Sequence, residues 1–93
     1  MSGKIRYWTE LSDYDIDTAY AMLKNKRYLY VGFMAHQSVE KILKAHYVKV
    51  YGKTAPFSHS LSYLAKEAKI YEQFSEGQKL FIDVLEPLNI ECR

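Results

Sequence analysis

A chain of 93 residues with 48% hydrophobic and 26% charged side chains reads as one globular unit, with enough length for a single modest core and too little for a separate ligand domain. The net charge of +2 does not by itself imply a nucleic-acid surface, and the lone Cys92 excludes an intrachain disulfide or a thiol-rich metal site. Four Gly and two Pro are too few turn formers for a strand-and-turn fold, so an all-α chain is expected.

The amino-terminal MSGKIRYW lacks the apolar centre of a signal sequence, and no run approaches the ~18 apolar residues of a membrane span, so a cytoplasmic protein with no membrane contact is expected. From about Tyr7 to Leu23, the apolar residues Trp8, Leu11, Ala19, Met22 and Leu23 recur at helical spacing and mark a first helix. Asp15 falls on that stripe, whereas Glu10, Asp13 and Asp17 lie off it. The turn KNKRY follows, with Asn25 expected in the left-handed conformation and cations placed where a helix C-terminus favours them.

A second helix is expected from about Tyr28 to Tyr51, stopped by Gly52. It carries two apolar rows: Val31, Ala35, Val39 and Ile42 on one side, and Phe33, Leu43, Tyr47 and Val50 on another. A helix apolar on two sides is the central member of a bundle, and the polar residues between its rows must find partners. GKTAPFSHS is the clearest loop, ending in Ser58 or Ser60 as cap for the short helix LSYLAKEA. SEGQ then forms a capping box, with Ser75 and Gln78, at the start of a last helix through Leu80, Phe81, Val84 and Leu85 that Pro87 kinks or ends.

The chemistry concentrates in AHQSVEKILKA, residues 35–45. His36 and Glu40 stand one turn apart, which is half of a zinc arrangement. With no HExxH and no paired cysteines to complete it, no metal is expected. Gln37, Glu40, Lys41 and Lys44 share a face at i, i+3, i+4 and i+7. In a structural reading Glu40 pairs with Lys44, Asp15 reaches Lys41 or Lys44 if the row faces the first helix, and His36 is a partly buried imidazole bonded to Glu40 or to a neighbouring helix. In a functional reading Lys41, Lys44 and His59 hold a phosphate, tyrosines stack on a base, and Gln37 and Glu40 complete a nucleotide-binding face. No Gly-rich phosphate loop accompanies them, and no catalytic residues and no cofactor can be assigned. Trp8 reads as core, and Tyr7 and Tyr14 as a surface for a second subunit.

These residues resemble a known family. Asp15-Ile16 followed by Ala19, the central signature GFMAHQSVEKILKA and the loop TAPFSHSL are similar, in order, to the first helix, central helix and loop of the HEPN domain, a helical family proposed to bind nucleotides. The resemblance covers about half the chain. It implies an up-and-down bundle of four to five antiparallel helices in one domain over residues 1–93, a homodimer, and pairing with a minimal nucleotidyltransferase in a toxin–antitoxin type pair, with a nucleotide or RNA as ligand. The family's alternative activity is that of a metal-independent ribonuclease toxin, which needs an Arg followed at short range by a His. Neither Arg6 nor Arg27 has one, and Arg93 has nothing after it. NIECR looks cut, which implies a shortened last helix and leaves such a motif outside this chain.

Overall fold

The computed structural model describes residues 3–88, and all regular structure within them is helical. The elements are α1 (Gly3–Lys24), α2 (Tyr28–Tyr51), α3 (Leu61–Glu67) and α4 (Glu76–Leu85), with 3₁₀ turns at Tyr71–Gln73 and Glu86–Leu88. The segment NIECR, with Cys92 and Arg93, is outside the described residues apart from its place in the sequence.

The first helix starts at Gly3, earlier than the apolar stripe from Tyr7 suggests, because polar residues ahead of the stripe still propagate a helix that packing holds further on. It closes in a Schellman turn, in which Arg27 N–H donates to Met22 O (2.7 Å) and Lys26 N–H to Leu23 O (3.0 Å). The left-handed residue is therefore Lys26 (φ 60°) and not Asn25, whose side-chain amide instead donates back to Ala21 O at 2.9 Å. A second Schellman turn ends α3, with Lys69 at φ 60° and Ile70 N–H donating to Ala65 O at 3.0 Å.

α1 and α2 run antiparallel and touch through small residues. Ser12 Oγ donates to Ser38 O at 2.8 Å, and Ser38 Oγ donates to Ser12 O at 2.9 Å. Two buried hydroxyls satisfied on the opposite backbone require a close approach that larger side chains would block. Gly52 ends α2 at φ 68°, a conformation that Gly adopts without the penalty of a Cβ.

The apolar core lies on the other side of α2: Leu43 packs with Leu61, Leu64 and Ala65 of α3 and with Ile82 and Leu85 of α4. Burying each of these leucines contributes about 1.5–3 kcal/mol. α2 is thus the central helix, although Ile42 and Val50, placed in its apolar rows by periodicity, are exposed. Ser60 caps α3 by accepting from Tyr63 N–H at 3.3 Å, while Ser58 accepts from Ser60 N–H at 3.1 Å. The capping box of α4 has both its bonds, Ser75 N–H to Gln78 Oε1 (2.8 Å) and Gln78 N–H to Ser75 Oγ (3.1 Å). The helix stops before Pro87, and Leu88 then folds onto Gly32 of α2, where an added Cβ would lie 2.9 Å from Leu88 Cδ1.

Candidate functional site

The polar row of α2 divides between two neighbours. Lys41 Nζ turns toward α1, donating to Asp15 Oδ2 at 2.9 Å and to Gln37 Oε1 at 3.2 Å. Asp15 is buried and Lys41 largely so, which removes both charges from water together. Gln37 and Lys41 therefore join the two long helices polar group to polar group, beside the Ser12–Ser38 contact.

Glu40 turns toward the loop before α3. Only 2% exposed, it accepts from Lys44 Nζ at 3.0 Å and lies 3.0 Å from His59 Nδ1. The loop 52–60 is thereby fixed to the central helix through His59, itself 55% exposed. Lys44 is buried, and its ammonium lies 5.2 Å from the Trp8 ring centroid, so a carboxylate and an aromatic face share the cation. Trp8 is half-buried, while Tyr7 and Tyr14 are exposed on α1.

His36 completes the cluster without bonding to it. The ring is fully buried, its Nδ1 stands 3.8 Å from Glu40 Oε1, and neither nitrogen has a hydrogen-bond partner among the described residues. This differs from the partly buried, bonded imidazole expected from the i, i+4 spacing: the helix brings the two side chains to the same face but not to bonding distance. Burial pushes the His36 pKa below 6.5, against the upward pull of the Glu40 and Glu86 charges.

Glu86 has no signal of its own in the sequence. It stands in the 3₁₀ turn after α4, and its Oε1 accepts from Leu61 N–H and from Ser62 N–H (3.2 Å), the first two donors of α3. It acts as a distant cap, placed by the return of α4 across α3. No side-chain pattern near residue 86 announces that role.

All three cationic groups of the sequence-derived nucleotide face, Lys41, Lys44 and His59, thus have a carboxylate of the protein within 3.2 Å. Among the described residues no group of three or more His, Cys, Asp and Glu is arranged to hold a metal ion, and no helix is long and apolar enough to cross a membrane. Comparison with known families gives one result that spans this whole arrangement: a family model described as HEPN domain matches residues 5–93. No curated protein and no solved structure matches the chain.

Proposed function

The chain belongs to the HEPN domain family, and from that premise we propose that it is a self-associating interaction module, a homodimer that partners a minimal nucleotidyltransferase in a toxin–antitoxin type pair. The observation that carries self-association is the outer face of α4. Ile82 and Leu85 are buried in the core, yet Leu80, Phe81 and Val84 on the same ten-residue helix are 64%, 53% and 57% exposed. A helix apolar on two faces with only one of them covered is built to meet a second apolar surface. The strip continues beyond α4, because Leu88 sits on Gly32, one turn along α2 from the exposed Leu29. A second copy of the chain supplies the matching surface through two-fold symmetry.

The polar stripe serves this module as framework. A phosphate at Lys41, Lys44 or His59 would have to displace Asp15 or Glu40 from a buried or half-buried pair, so the nucleotide reading of those residues draws no support from their geometry. The ribonuclease reading likewise lacks an Arg with a His at short range after it in these 93 residues.

Light scattering coupled to size exclusion tests the proposal. The parent is expected at twice its monomer mass, and Val84→Glu, which places a charge in the centre of the strip, at one monomer mass with unchanged helicity. A parent that stays monomeric at high concentration rules self-association out.

A further inference from the structure

We infer that the apolar groove between the end of α1 and the start of α2 is a docking site for an acidic amphipathic helix of a partner protein. Ile16, Ala19, Tyr20 and Leu23 recur along α1 at i, i+3, i+4 and i+7, Val31 and Ala35 stand one turn apart on α2, and the six line a cavity of ≈ 150 Å³. Tyr28 extends the α2 row toward the turn. Tyr20 and Tyr28 are 67% and 64% exposed and Leu23 is half-exposed, so the lips of the groove are apolar surface in contact with water. The α1 row covers two turns, about 10 Å at 1.5 Å per residue. That is the footprint on which a partner helix sets apolar side chains one and two turns apart.

The charge at this end of the molecule selects the partner's chemistry. Lys24, Lys26 and Arg27 stand on the turn that closes the groove, and from Thr18 to Val39 the chain has no Asp and no Glu. None of the three cations has a carboxylate within 4.0 Å among the described residues. The acids around them are engaged or distant: Asp15 holds Lys41, Glu86 accepts from the first donors of α3, and Asp13 and Asp17 lie two turns or more back along α1 from Lys24. The macrodipole of α1 accounts for Lys24 and Lys26 at its C-terminus. It does not account for Arg27, which precedes the first turn of α2, where the dipole disfavours a cation, and makes no side-chain cap there. The two Schellman bonds fix this turn, so the cations are displayed from an ordered backbone.

A protein helix fits these features better than other anionic surfaces do. The cavity lies between two helices and takes one branched side chain, a knob that a lipid surface does not offer. A uniform polyanion laid along α1 would meet Asp13 and Asp17, whereas a helix can place its carboxylates over the turn and neutral or basic residues further along.

Fluorescence anisotropy of a labelled synthetic helix, with leucines on one face and glutamates on the other, tests the site on the full chain. Saturable binding is expected, weakened at least tenfold in Lys24→Glu/Arg27→Glu and in Leu23→Ser, and retained in Lys53→Glu at the far end of α2. A peptide of the same composition with its leucines dispersed should bind at least tenfold more weakly than the amphipathic one. Circular dichroism checks each variant; should Leu23→Ser lose helicity, the exposed charge variant and the dispersed peptide carry the test. No saturable binding, equal binding of the two peptides, or binding undiminished by the substitutions overturns the assignment. So does a preference for vesicles of phosphatidylglycerol and phosphatidylcholine, or for oligouridylate, which would give the turn to a lipid or a nucleic acid. Light scattering separates this groove from the α4 strip: Lys24→Glu/Arg27→Glu should keep the parent's mass, and a halved mass would assign the groove to a second copy and overturn the proposal.

Discussion

His36 is the one residue of the cluster whose polar atoms are buried and unpaired, and that makes it sensitive to acid. Its pKa lies below 6.5 in the fold, chiefly through burial and against the upward pull of Glu40 and Glu86. Below about pH 6.5 the unfolded chain therefore binds a proton at this position that the folded chain does not, so stability is fully present above that pH and falls as pH falls. His36→Leu should flatten this acid limb. Denaturant midpoints measured from pH 7.5 to 5.5 should drop less in the variant than in the parent, while at neutral pH the two should lie within about 1 kcal/mol, since an apolar side chain of similar size replaces unpaired nitrogens. Equal slopes would mean that His36 takes up its proton as readily in the fold as in the unfolded chain. At this scale, legibility in the sequence follows separation along the chain. Glu40 and Lys44 are readable as a pair because one helix carries both. The approach of His59 to Glu40 is not, because it depends on the path of loop 52–60, and the capping of α3 by Glu86 depends on where α4 returns.

The elements themselves were largely readable, for local reasons. The capping box at Ser75, the stop at Gly52 and the break before Pro87 are each set by residues a few positions apart. What local pattern does not contain is which apolar face stays uncovered, and so Ile42 and Val50 of α2 are misplaced by periodicity alone. Gly32 shows the same limit: inside a helix it looks like a defect, and only the return of Leu88 onto it supplies a reason. Gly32→Ala therefore combines two opposed terms. Helix propensity favours Ala by about 1 kcal/mol, whereas the new Cβ, 2.9 Å from Leu88 Cδ1, displaces a partly exposed side chain. The single variant should lie near the parent in stability. In a Leu88→Ala background, where the clash is gone, Gly32→Ala should stabilise by roughly 1 kcal/mol. A double-mutant cycle by urea denaturation measures the difference, and additive effects would show that Leu88 does not press on Gly32.

The whole molecule has one strongly paired hairpin, α1 with α2, and a smaller cap of α3 and α4 laid on the opposite side of α2. The cap contributes most of the buried leucine and isoleucine core, yet it exposes Leu80, Phe81 and Val84 on the side away from it. If a second copy covers that strip, association and folding are linked, because only folded chains present it, and the thermal midpoint must rise with protein concentration. Each tenfold increase adds about 1.4 kcal/mol per dimer, or ~0.7 per chain, which for a domain of this size corresponds to roughly 3–6 °C. Val84→Glu should melt at a concentration-independent temperature and meet the parent's curve as the parent is diluted to the point of dissociation. Circular dichroism melts over two decades of concentration distinguish the cases. A parent midpoint that does not move would mean that the α4 strip is open in the folded chain and that its occupant is a different protein, in which case the nucleotidyltransferase partner becomes the next chain to add to the same melt.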